Sequence, residues 1–147
     1  MLINKNITYI EKNNNLNKWY IIDAKDQTLG RLSSKIAFLL KGKTSNTYTP
    51  YLKNSINIII INSKFIKVTG KKIEQKIYKK HSGKPGGLKT ETFNQLQHRI
   101  PNRIIEKSIK GMLPKNILGR DLFKKLKVYP NTIHPHSAQK PETLILN

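Results

Sequence analysis

Residues 56–61 read INIIII. Apart from Asn57 the run is isoleucine, and no alternation of polar and apolar positions marks a wet face. A strand of this kind is covered on both sides, as in parallel sheets packed between helices. Upstream, WYIIDA at residues 19–24 is a second compact apolar run with the character of a buried strand. Between the two, Thr28 fits a helix N-cap, and Leu29, Leu32, Ile36 and Leu39/Leu40 form a helical stripe that Gly42 ends. Residues 44–50 read as a polar loop. Strand, helix and strand in this order predict a parallel crossover unit.

Downstream, residues 73–80 (IEQKIYKK) read as a polar, edge-like strand with outward lysines. Thr92 and Gln95 fit a capping box for a short helix through Gln97. Pro101 fits the first turn of a longer helix whose buried stripe is Ile104, Ile105, Ile109 and Met112/Leu113. Pro114 stops it. Leu118, Leu122 and Leu126 mark a last helix, followed by a short KVY strand. The alternation predicts one α/β domain, mostly parallel, with helices on both faces. It spans residues 18–130, after an Asn- and Lys-rich extension at 1–17 that orders on a partner and before an extended tail at 131–147.

Charge narrows the function. The 147 residues carry 28 Lys and Arg against 8 Asp and Glu, a net charge of +20. Small soluble domains usually hold about 2–8 in magnitude, so a polyanionic partner is expected. With 24 Lys to 4 Arg, point-charge contacts to phosphate should outnumber bidentate ones. Cysteine is absent, which removes disulfides and thiolate zinc sites. No apolar run is long enough for a membrane span, and residues 1–17 have neither a signal-peptide core nor a typical transit pattern. The 21 Ile and 15 Asn, with the lysines, reflect AT-rich codons. That composition suggests an AT-rich bacterial or organellar genome.

The stretch HSGKPGGLKT at residues 81–90 imitates a nucleotide-binding loop. In the pattern G-x-x-x-x-G-K-[ST] starting at Gly83, the second glycine should fall at position 88, which is Leu88. No buried strand precedes the loop, and no apolar strand ending in Asp follows it. Phosphotransfer through Lys89 and Thr90 is therefore the weaker alternative, and a backbone of many phosphates suits the loop better. His134 and His136 lack a third metal ligand, and no G-x-S-x-G elbow occurs. No RNA-recognition-motif signature, zinc finger or basic heptad array is present. Basic residues spread over loops, helix faces and tail suit docking to folded RNA by shape and phosphate contact. The triplet Leu-Gly-Arg occurs at 29–31 and 118–120, each time opening a helix. Either an anion site at a helix start or close helix packing through the glycine accounts for it.

Four blocks in order carry a specific resemblance: WYIIDAKDQTLGRLSSKIA, INIIIINSKFIKVTGKKIEQKIYKKHSGKPGGLK, IEKSIKGMLPKNILGRDLFKKLKVYPN and HPHSAQKPE. Together they resemble the bacterial-type large-subunit ribosomal protein L-thirteen family, from about Trp19 to Leu144. The resemblance implies a three-layer α/β/α sandwich with a mainly parallel four-stranded sheet. It also implies binding to 23S-type ribosomal RNA, an early role in subunit assembly, neighbouring ribosomal proteins as partners, and no catalysis. No cofactor, membrane or homo-oligomer is expected. By motif, His81, Ser82, Gly83, Lys84, Pro85, Gly86, Gly87 and Lys89 would face RNA. So would Lys110, Lys115, Asn116 and Arg120, and the tail around His134, His136, Gln139 and Lys140. Arg31, Lys43, Lys71, Lys72, Lys76, Lys80, Lys124 and Lys125 complete the expected set. The family pattern carries an aromatic residue where Lys84 stands and arginine where Lys80 stands.

Overall fold

The computed structural model describes residues 17–46 and 48–146, so the expected N-terminal extension lies outside the described residues save for Asn17. In chain order the elements are β1 (Lys18–Asp23), α1 (Leu29–Leu40), β2 (Ile56–Ile61), α2 (Lys72–Gln75), β3 (Ile77–His81) and β4 (Leu88–Thr92). They continue with α3 (Phe93–Arg99), α4 (Asn102–Met112), α5 (Ile117–Lys124), β5 (Leu126–Val128) and β6 (Glu142–Thr143). β5, β2, β1 and β6 lie side by side in that order, and every pairing is parallel. Helices flank this sheet, giving the three-layer α/β/α architecture. β3 and β4 form a separate antiparallel hairpin.

The isoleucine run is the centre of the sheet. Ile58, Ile59 and Ile60 are all fully buried. Ile58 and Ile60 join the main core with Leu29, Leu32, Ile36 and Leu40 of α1 and Ile104, Ile105 and Ile109 of α4. Ile59 is buried outside that cluster, because successive side chains leave opposite faces of a strand. Each such isoleucine contributes about 1.5–3 kcal/mol, so the run anchors both layers at once.

Helix starts follow three different devices. Thr28 occupies the N-cap of α1 with extended backbone, but its hydroxyl caps nothing. Backbone pairing fixes the start instead: Leu29 N–H donates to the Lys67 carbonyl at 2.9 Å, and Lys67 N–H donates to that of Gln27 at 2.9 Å. α3 has the expected capping box between Thr92 and Gln95. At α5 the Asn116 side chain accepts from Gly119 N–H at 2.8 Å.

A polar seam ties the C-terminal ends of the strands together. Asn62, at φ 59°, donates to the Asp23 carboxylate at 2.9 Å. Buried Ser63 donates to Asn102 at 2.6 Å, and Asn102 donates to the Val128 carbonyl at 3.0 Å. The seam joins β1, β2, α4 and β5 with its buried groups satisfied.

Three expectations change. Residues 73–80 are not one strand: residues 72–75 form a helical turn, and the strand begins at Ile77. Gln75 N–H bonds back to Lys71 and Lys76 N–H to Lys72, which closes that turn. Leu126 does not extend the last helix. It starts β5 and is 8% exposed, beside Ile58 in the sheet. The segment after Asn131 returns to the sheet, where Glu142 and Thr143 pair with Tyr20 and Ile21 and supply the fourth strand.

Candidate nucleic-acid interface

The hairpin register sorts its side chains. Ile77↔Thr92, Lys79↔Thr90 and His81↔Leu88 share one face, while Tyr78↔Glu91 and Lys80↔Lys89 share the other. Tyr78 packs against the core, so its face is the inner one. Ile77 and Leu88 are each 55% exposed on the outer face, among Lys79, His81 and Thr90. Lys80 and Lys89 stand directly opposite each other, a like-charge pair that weakens an isolated hairpin. The nearby acid is already engaged: Glu91 accepts two hydrogen bonds from Arg99, at 2.5 and 2.7 Å. The Arg99 hydrogen bond holds the Glu91 carboxyl below its usual value.

The tip is a built turn. Gly87 N–H donates to the Lys84 carbonyl at 3.0 Å, with Pro85 and Gly86 between and Gly86 at φ 71°. That is the geometry of a type II turn, which needs a positive φ at its third residue. A Cβ at Gly87 would fall 1.9 Å from Ser82 Oγ. The peptide N–H groups of Ser82, Gly83 and Gly87 are spent on Gly87 O, His81 Nδ1 and Lys84 O. They form no phosphate nest, and Lys89 and Thr90 lie in a strand, not at a helix start. The side chains of Lys84 and Lys89, both exposed, carry the charge instead.

Lysines continue from the hairpin root onto α4. Lys71, Lys72 and Lys76 line a shallow concavity of about 440 Å³ with Thr69, Gly70 and Gln75. The ammonium groups of Lys76 and Lys107 lie 5.5 and 5.0 Å from the Tyr78 ring centre, within cation–π range. Burial pushes the Tyr78 phenol up, so it stays neutral between the two cations. Its hydroxyl is buried, with no hydrogen-bond partner among the described residues. Lys107 belongs to this surface although the motif reading passes over it, whereas Lys79 lies on the outer face of the hairpin. For Lys107 the available signal is its place one turn before Lys110 on an acid-free stretch, residues 107–120.

Other expected residues divide by role. Lys115, Arg31, Arg120, Lys43, Gln139 and Lys140 are exposed. Lys110 lies 5.8 Å from the Phe123 ring, and Lys43 lies 5.9 Å from that of Tyr48. Asn116 is occupied as an N-cap. Asp121 binds Lys53 at 2.8 Å and Lys124 at 3.3 Å. Half-buried Lys125 donates to the Asn54 carbonyl, and burial, then Lys53, pushes its ammonium below the usual lysine value. Lys125 therefore latches the 51–54 loop to the end of α5. Gly119 shows why the second Leu-Gly-Arg needs its glycine: a Cβ there would stand 1.8 Å from the Pro114 carbonyl oxygen. At Gly30 a Cβ would meet nothing among the described residues within 4 Å beyond its own helix, so packing among them explains only one copy.

His134 and His136 form a separate cluster. His136 shares a 2.8 Å hydrogen bond with the Tyr129 hydroxyl and lies 5.3 Å from the Trp19 ring centre. His134 Nδ1 accepts from His136 N–H at 3.2 Å. These rings pin the returning C-terminal segment to the sheet. Among the described residues, no group of three or more His, Asp or Glu could hold a metal ion. No helix among them is long and apolar enough to cross a membrane.

A family model described as Ribosomal protein L13 matches residues 17–135. The chain belongs to this family. Large ribosomal subunit protein uL13c of Gracilaria tenuistipitata var. liui is 61% identical over 139 residues, covering 95% of this chain and 97% of that one. Its counterpart in Pyropia yezoensis is 62% identical over 128 residues, covering 87% and 90%. Protein uL13 of Picosynechococcus sp. is 60% identical over 130 residues, covering 88% and 86%. The family is one of ribosomal structural proteins of the large subunit, so this chain is a ribosomal component and not an enzyme.

Proposed function

We propose that this ribosomal protein binds 23S-type large-subunit RNA through phosphate and shape contacts and supports an early step of subunit assembly. The observation that carries the reading is the hairpin: Lys80 and Lys89 oppose each other with their acidic neighbour taken by Arg99. A sugar–phosphate strand would relieve that repulsion beyond what Glu91, which also feels the Lys80 charge, provides in the folded protein. His81, Lys84 and Lys89 face RNA at the tip, Lys71, Lys72 and Lys76 at the root, and Lys110, Lys115 and Arg120 beyond α4. Gln139 and Lys140 add contacts from the returning segment. Neighbouring large-subunit proteins cover other surfaces.

We place the protein in a plastid ribosome. Its AT-rich composition and its similarity to plastid-type relatives support this, and similar cyanobacterial relatives keep the cytoplasm of a bacterium as the alternative. The test is sedimentation of tagged protein from its own cells in low salt with magnesium. Stoichiometric recovery with the large subunit after a moderate salt wash supports RNA-held incorporation. Recovery near the top of the gradient, free of large-subunit RNA, overturns it. Depletion should accumulate immature large-subunit particles, and fractionation of the cells decides the compartment.

A further inference from the structure

Among the described residues nothing explains the glycine at 111, in the last turn of α4. Its φ is not positive, unlike those of Gly42, Gly70, Gly83 and Gly86. Beyond its chain neighbours and the backbone of its own helix, a Cβ built there would meet no atom of the described residues within 4 Å. Helical glycine is less stable than alanine, because it loses more backbone freedom on folding. Gly119 is the contrast, since a Cβ there collides with Pro114. Gly111 thus leaves open space on the outside of a helix, at a cost to the helix.

The surroundings state what fits that space. Residues 107–120, KSIKGMLPKNILGR, hold Lys107, Lys110, Lys115 and Arg120 and no acid. Lys107 lies one turn before Gly111, on the same side of the helix. Met112 and Ile117 are 40% and 71% exposed on either side of the turn that links α4 to α5. Cations around a bare stretch of backbone, with apolar side chains beside it, match a ribose–phosphate strand: charge for the phosphates, apolar surface for the sugars.

We propose that an RNA strand crosses the last turn of α4 at Gly111, close enough to the helix backbone that a side chain there would displace it. The inference rests on the RNA-binding reading above and specifies one point of contact. Lys107 and Lys115 flank the crossing.

The test compares the full chain with Gly111→Ala and with Gly111→Gln, a longer side chain that is also favoured over glycine in helices. Each is assayed for thermal unfolding, for filter binding to large-subunit ribosomal RNA transcribed from the same organism, and for incorporation into large subunits in its own cells. The expected result has opposite signs: the unfolding midpoint holds or rises, while RNA affinity falls by about tenfold or more. The longer side chain should have the larger effect on binding. Equal affinity for all three chains overturns the crossing while leaving RNA binding intact. A fall in the unfolding midpoint of Gly111→Ala also overturns it, because the glycine then serves the fold. Normal RNA affinity with poor incorporation into subunits assigns the surface to a neighbouring protein and overturns the RNA occupant. A parent chain that binds no RNA at all removes both this proposal and the reading beneath it.

Discussion

At Gly119 a single methyl decides whether α5 can sit against Pro114. The 1.8 Å approach of a Cβ to the Pro114 oxygen cannot be relieved by a rotamer change, because the backbone fixes the Cβ position and the oxygen is itself a backbone atom. Gly119→Ala should cost about 1–3 kcal/mol, read as a lower urea midpoint with unchanged slope. Tyr78→Phe should go the other way, since it removes a buried hydroxyl with no partner among the described residues. A gain of up to about 1 kcal/mol is expected, and a loss of that size would show that the hydroxyl has an unseen acceptor. The sequence announces the glycines of residues 83–87 as a cluster but not their division of labour. Pro85–Gly86 does carry the type II turn signal in the sequence. The close approach of Gly87 to Ser82 is tertiary, and no local pattern encodes it.

The hairpin of β3 and β4 is the element whose charge and shape are most clearly separated. Glu91 and Arg99 clamp its base to α3. The folded-state pKa of Glu91 lies below its ordinary 4.5. The clamp therefore contributes fully above about pH 4.5 and is lost as pH falls through the depressed value. Glu91→Gln should flatten the fall in stability on the acid side, measured as urea midpoints across that range, and leave the slope above it unchanged. Lys80→Ala and Lys89→Ala bear on RNA instead. Each should reduce the salt dependence of binding by about 0.7–0.9 in log K per log salt, if each lysine meets one phosphate. Unchanged slopes would place the phosphates elsewhere. The hairpin is also where periodicity misleads. Ile73, Ile77 and Tyr78 allow a strand through residues 73–80, yet the backbone of residues 71–76 closes a helical turn first. Long apolar stripes, as in α1 and α4, were legible because burial imposes their spacing. A short charged segment has no such constraint, and its form is set by the partner strand β4.

Across the whole molecule, the two faces of the sheet are covered by different parts of the chain. α1 and α4 share the main core with Ile58 and Ile60. Trp19 shares the opposite face with Ile21 and Ile59 by register and alternation, and His136 lies against its ring. The polar composition of residues 131–147 reads as a tail because its anchors are few and scattered: a histidine on Trp19, two strand residues, and Leu144 and Leu146 packed on the core. Ending the chain after Thr132 should cost about 2–4 kcal/mol from the two leucines alone, seen as a lower thermal midpoint. An unchanged midpoint would mean that the segment rides on the sheet without supporting it. The order of strands has a consequence in time as well as in space. β6 is made of residues 142–143 and pairs with β1, whose first residue is 18. Translation delivers β6 long after β1 and β2. While the protein is being made, β2 can dock beside β1 early, but the other flank of β1 stays open until residues 142–143 have been made. A nascent chain of this protein therefore cannot close its own sheet until those two residues are free to pair with β1.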